Sequence, residues 1–355
     1  MAHGQLIQMD RQEPVSRFFK ALRIFRAAFA FLLVGIPELA FGATAPASPL
    51  VLERTIPLAD VMGRIDHMAV DLARKRLIVA ELGNNTADVI DLTSGKTIHR
   101  IEGLSEPQGV GYAPRADIIA IANAGDGTVR LFRGEDFSSA GTISLGEDAD
   151  NVRLDAATGQ FVVGYGSGGL AVLDPASHSV AARLKLPAHP EAFQIDPATR
   201  RAFVNVPDAR QIAVLDIAVG VQIAAWRVPG LRANFPMALD DAGAILATVF
   251  RRPARLILLD SRTGAVTARL RACEDADDVF FDARRRRIYV SCGEGVIDVF
   301  QQDAGGVRPL ARVKTSSGAR TSLYVPQLDR LFVAARRGLL GSGAGSAILV
   351  FRPQS

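Results

Sequence analysis

Short apolar runs separated by polar turns recur along the chain from about residue 52 onward. One unit reads Met68 to Asp71, a polar Leu72 to Arg76, then the apolar Leu77 to Ala80. A turn at Gly83 to Thr86 follows, then Asp88 to Leu92, Ser94-Gly95 and Thr97 to Ile101. Apolar stretches this short, bounded by Gly, Asn and Asp, predict strands joined by tight hairpins.

The residue closing the first run of each unit recurs at Asp71, Ala113, Asp155, Asp196, Asp240, Asp282 and Pro326, in steps of 42, 42, 41, 44, 42 and 44. Second runs recur as IIAIAN, QFVVGY, RAFVNV, AILATV, RIYVSC and RLFVAA, and third runs as LAVLD, IAVLD, LILLD, VIDVF and AILVF. Four strands in about 42 residues is the arithmetic of a propeller blade. The chain is therefore expected to be an all-β, seven-bladed β-propeller of four-stranded blades over residues 52–355. Its seventh unit stops after three strands, near Phe351. The segment Leu52 to Pro57 is expected to supply the fourth, closing the ring and removing an open sheet edge.

Strings such as LIVAELGNNTADVIDLTSGK, AFVNVPDARQIAVLDIAVG and IYVSCGEGVIDVF resemble YVTN repeats, as in the YncE-like bacterial propellers. The resemblance spans residues 52–353 and implies the fold and an exported location. It carries no catalytic residues over. The loops GRIDH, EPQG, DADN, HPE, ANFP, DADD and GART depart from the bare repeat.

The first 42 residues do not follow the pattern. Arg17, Lys20, Arg23 and Arg26 lead into an apolar run, Ala27 to Ile36, and Ala40-Phe41-Gly42 offers small residues for cleavage. This reads as a signal peptide over residues 1–42, with a short linker at 43–51, too short for a typical membrane span; an uncleaved anchor is the alternative. Either reading makes the protein periplasmic or secreted. The segment holds five of the 41 Lys and Arg and three of the 37 Asp and Glu, leaving 36 and 34. So balanced a remainder gives no reason to expect nucleic acid as a partner. The run Arg284 to Arg287 falls at a turn and is expected to be solvated. Cys273 and Cys292 are the two cysteines, on connections of one face, and are expected to form a disulfide in an oxidising compartment.

Candidate chemistry gathers where each innermost strand begins. Aligned units place Asp66, Gln108, Asp150, Glu191, Phe235, Asp277 and Thr321 in a ring around one channel mouth, with His67, Asn151, His189, Asn234, Asp278 and Arg320 beside them. Clustered carboxylates repel unless a cation or hydrogen-bond donors compensate. Two readings follow: the acids accept hydrogen bonds from loop amides and waters, or they bind a polar ligand. A divalent metal ion in the channel, held by His67, Glu191 and Asp278, is a further candidate. Arg251, Arg252, Arg336 and Arg337 lie at turns on the same face, as candidates for contacting an acidic partner or as solvated charges.

No nucleophile elbow, phosphate loop, dinucleotide fingerprint or C-x-x-C pair is present. The expectation is a monomeric binding propeller for a small polar ligand or an envelope protein. The alternatives are a metal-dependent hydrolase resembling the propeller lactonases and a purely structural repeat protein.

Overall fold

The structure is a computed structural model and describes residues 47–240, 242–336 and 345–355. The expected signal peptide and Arg337 lie outside the described residues. Ala47–Ser355 forms one compact unit. Its 28 described strands make seven antiparallel sheets of four, the all-β propeller that the repeat predicts.

Six blades follow the chain directly; the seventh is closed from both ends. Leu50–Pro57 pairs with Ala347–Pro353, from Leu50 opposite Pro353 to Pro57 opposite Ala347. This strand starts two residues before the expected boundary, because Leu50 is itself buried against Tyr289 and Phe351 at the junction of blades 6 and 7. Seven apolar clusters each join two neighbouring blades. Ala120 and Leu131 of blade 2 meet Phe161 and Val163 of blade 3, and Phe332 and Ile348 of blade 7 meet Leu77 and Ile90 of blade 1. A single sheet exposes both faces, so stacking neighbours in a ring is what buries these Val, Ile and Leu side chains.

The recurrent Asp at the end of the first strand has a definite task. Asp71, Asp155, Asp196, Asp240 and Asp282 each accept a backbone N–H from the turn that follows. Three of them also tie blades together through arginine. Arg74 bridges Asp71 to Asp117 of blade 2, Arg200 of blade 4 reaches Asp155, and Arg285 bridges Asp282 to Asp329 of blade 7. The two blades without an Asp at the strand end, at Ala113 and Pro326, are those that supply Asp117 and Asp329 as receivers. The basic run at 284–287 is correspondingly not all solvated. The Arg285 side chain is only 9% exposed, and Arg287 is buried against the carbonyl of Gln354. Asp282 and Asp329 draw Arg285 inward from the turn, and the Pro49 and Gln354 carbonyls hold Arg287 at the start of the next strand, while Arg284 stays in solvent.

Cys273 and Cys292 form the expected disulfide, with Cα atoms 6.0 Å apart. No helix among the described residues is long and apolar enough to cross a membrane.

Candidate functional site at the channel mouth

The innermost strands are Met68–Asp71, Pro107–Ala113, Ala149–Leu154, Phe193–Asp196, Arg232–Leu239, Ala276–Asp282 and Ser322–Val325. In blades 2, 3, 5 and 6 the pairing slips at the start of this strand, between Pro107 and Val110, Ala149 and Val152, Asn234 and Met237, and Ala276 and Asp278. Each of the four enters through a residue with positive φ: Glu106 at 49°, Asp148 at 31°, Ala233 at 60° and Asp275 at 56°. None is glycine, so each conformation costs energy that the surrounding fold must supply. The bulges release Gln108, Asp150, Phe235 and Asp277 from regular pairing and turn them toward the axis, a common use of bulges beside functional sites. Between two of them blades 2 and 3 run so close that a Cβ on Gly109 would collide with the Asp150 carbonyl. Only glycine fits there.

These residues line a polar cavity of about 260 Å³ at the mouth. Its walls are Gln108, Asp150, His189, Glu191, Phe235, Asp277 and Arg320, all expected from the sequence, together with Arg64, Asp148 and Arg251. A neck of only about 20 Å³, where His67 and Asn151 stand, separates this cavity from a channel of about 380 Å³ below. Asp66 sits behind the neck, fully buried. Asp278 faces the lower channel and accepts the Ser322 N–H at 2.7 Å. Asn234 is not at the mouth. It is buried between blades 4 and 5, donating to the Asn205 side chain at 2.7 Å and the Gln211 carbonyl at 3.1 Å. The slip in pairing between Asn234 and Met237 leaves it facing blade 4, while Phe235 lines the cavity.

His67 holds the neck. Its Nδ1 lies 2.7 Å from Asp66 Oδ1 and its Nε2 2.7 Å from Asn151 Oδ1. Burial opposes its charge, but the Asp66 hydrogen bond and carboxylate outweigh burial and raise its pKa to about 10. The ring is therefore an imidazolium donating from both nitrogens. Burial would raise the Asp66 pKa, but His67, Arg64 and Arg320 hold it below the ordinary carboxylate value. Arg64 reaches Asp66 at 2.7 Å.

The expected metal trio does not assemble. Both nitrogens of His67 are engaged, Glu191 lies at the mouth, and Asp278 opens to the channel below. Among the described residues no group of three or more His, Cys, Asp or Glu side chains is placed to hold one ion.

The two sides of the mouth differ in how well their charges are matched. Arg251 donates to Asp277 at 2.5 Å and to the Ala276 carbonyl at 2.8 Å, and lies 3.8 Å above the Phe235 ring. Arg320 contacts Asp275 at 2.8 Å and Asp277 at 3.1 Å. Across the cavity, Glu191 makes no side-chain hydrogen bond, and Asp150 has only His189 at 3.8 Å, ion-pair distance. His189 instead bonds the Gly166 carbonyl at 2.7 Å. Asp150 raises the His189 pKa most; burial opposes it, but Gly166 and Asp148 help lift it to about 9. Burial, then the Asp150 charge, lifts Glu191 to about 7. Burial lifts Asp278 to about 7 as well, with Asp277 adding to it and His67 opposing.

Arg64, Asp148 and Arg251 were not among the residues expected at the mouth. Arg64 and Asp148 stand two positions before Asp66 and Asp150, as His189 stands before Glu191 and Asp275 before Asp277. That spacing was a readable signal. Arg251 had none: it ends a second strand and reaches inward from a position read as a surface turn.

No protein-family model matches the chain, and no curated protein matches it in sequence. Solved structures match its shape. A chain of the Kuenenia stuttgartiensis hydrazine synthase superposes with TM-score 0.70 at 13% identity, covering 81% of this chain and 94% of that one. A chain of the mitotic checkpoint complex gives 0.74 at 13% identity, covering 93% and 99%. The WD40 repeats of RRP9 give 0.73 at 12% identity, covering 88% and 99%. The chain is a seven-bladed propeller with WD40-like structural neighbours. At such identities the likeness is one of fold alone.

Proposed function

We propose that the protein is an exported binding propeller, akin to the YVTN-repeat proteins, that captures a small polar ligand at its channel mouth. One observation carries this reading. The cavity wall holds Gln108, Asp150 and Glu191 side chains that make no hydrogen bond within the protein, although Asp150 is only 7% exposed. Polar groups held in a recess usually find partners in the fold; here Gln108 and Glu191 have none and Asp150 has only His189 at ion-pair distance, which marks a place built for something else. The positive-φ entries at Asp148 and Asp275 support the same reading, since strain of this kind is retained where it positions side chains. Export rests on the N-terminal sequence pattern and is compatible with the Cys273–Cys292 disulfide.

A hydrolase using one metal ion is less well supported, because His67, Glu191 and Asp278 stand at three different levels of the axis. Among the described residues the mouth shows no nucleophile paired with a base.

The reading is tested by native mass spectrometry of the purified protein after incubation with a small-molecule extract. A retained mass that is lost in Asp150→Asn and Glu191→Gln, with both variants folded, is the expected result. Retention unaffected by either variant would show that binding occurs elsewhere.

A further inference from the structure

The charges at the mouth are arranged across the ring, which bears on the class of ligand. Blades contact their neighbours in chain order, and blade 1 contacts blade 7, so position around the ring follows blade number. Asp150 and Glu191 enter from blades 3 and 4. Arg320 and Arg64 enter from blades 7 and 1, nearly opposite. Gln108 of blade 2 and Phe235 of blade 5 stand on the two flanks between them.

Each pole has unused capacity. On the acidic side, the Asp150 side chain is 10% exposed and meets only His189 at 3.8 Å, and Glu191 makes no side-chain hydrogen bond, so both keep acceptor oxygens for the cavity. On the basic side, Arg64 spends its Nη2 on Asp66 while its side chain remains 40% exposed. Arg320 uses its Nε and Nη1 on Asp277 and Asp275, and its Nη2 makes no bond within the protein. A purely cationic ligand would leave these donors unused, and an anionic one would face Asp150 and Glu191. A neutral ligand would leave the remaining acceptor oxygens of Asp150 and Glu191, and the remaining donors of Arg64 and Arg320, without a charged partner.

We infer that the mouth takes a small zwitterion of the amino-acid class, its ammonium group between Asp150 and Glu191 and its carboxylate toward Arg64 and Arg320. This rests on the reading of the mouth as a ligand site and narrows it. The cavity, about 260 Å³, is smaller than pockets for drug-sized molecules, which begin near roughly 300 Å³. Among the described lining residues Phe235 is the aromatic one, and the part of its ring not covered by Arg251 would meet the apolar part of such a ligand.

Isothermal titration of the purified protein with defined probes tests this. The panel holds L-glutamine, L-leucine and L-lysine as zwitterions, ethanolamine as an amine alone, acetate and lactate as acids alone, and glucose as a neutral polyol. The expectation is that at least one amino acid binds about tenfold or more tighter than any probe bearing one charge or none. Glu191→Gln should weaken the amino acid and ethanolamine, and Arg64→Gln the amino acid and the acids. Gln108→Ala serves as a third variant should either fail to fold, and should weaken the same amino acid. If glucose, ethanolamine or an acid binds as tightly as any amino acid and loses affinity in these variants, the zwitterion inference is wrong while the mouth remains a ligand site. If no probe binds, or binding ignores all three variants, the inference is overturned. The mass-spectrometric experiment then decides separately whether the mouth binds anything.

Discussion

The Nε2 of His67 lies 2.7 Å from the side-chain oxygen of Asn151, so blade 1 is tied to blade 3 across the neck of the channel. Their contact divides the axis into an outer cavity that holds the unmatched charges and an inner channel. With Asp66 anchoring the other nitrogen, His67 turns a buried charge into a fixed strut.

Removing the strut should be costly. His67→Ala leaves Asp66 buried with Arg64 as its nearest cation and is expected to lose about 3 kcal/mol, the usual cost of breaking a buried pair. The pH dependence has a definite sign. The pKa of His67 is raised from 6.5 to about 10, so its contribution is complete below pH 6.5 and lost as pH rises toward 10. Urea denaturation at pH 6 and pH 9.5 should show the gap between wild type and His67→Ala narrowing at the higher pH.

Glu191 should behave in the opposite sense. Its carboxyl holds a proton up to about pH 7 in the folded protein, whereas the unfolded chain releases it near 4.5. The folded state is therefore penalised as pH rises through this window, and the penalty persists above it. Glu191→Gln should stabilise the protein at pH 8, by about 1 kcal/mol, and have little effect at pH 5, read from thermal melts at both values. A group that costs stability and has no partner within the fold is one expected to serve a ligand.

The opposite face should matter for stability alone. Arg285→Met removes the link from Asp282 to Asp329 between blades 6 and 7 and should cost about 3 kcal/mol in denaturant titrations. Ligand binding at the mouth should be unchanged.

The architecture was legible because a propeller repeats one solution seven times. Spacing near 42 residues and the recurrent Asp exposed the blades, and the absent fourth strand of the last unit pointed to closure by the N-terminal segment. The site was legible in part. Seven mouth residues follow from alignment of the blade entrances, but alignment assumes regular pairing. The bulges break that assumption, which is why Asn234 went between blades while its neighbour Phe235 reached the cavity. The role of Asp278 changed for a similar reason: pairing resumes at Asp278, whose carboxylate accepts the Ser322 N–H beneath the mouth. Arg251 was hidden because a long side chain can reach inward from a turn, which residue order does not record.

The disulfide should contribute through the chain it encloses. Cys273 and Cys292 are 19 residues apart, and a closed loop of that size is worth about 3 kcal/mol. A Cys273→Ser, Cys292→Ser double variant should lose roughly this amount, and adding reductant to the variant should change its unfolding midpoint no further.

The central claim is that the mouth cavity is a ligand site formed by the bulged entrances of the inner strands. The most direct measurement is a crystal structure of the protein grown with the tightest-binding probe at saturation. The account predicts density in the mouth, above His67, within about 2.7–3.2 Å of Gln108, Asp150 or Glu191. Density for that probe at another surface, with the mouth holding only water, would contradict it.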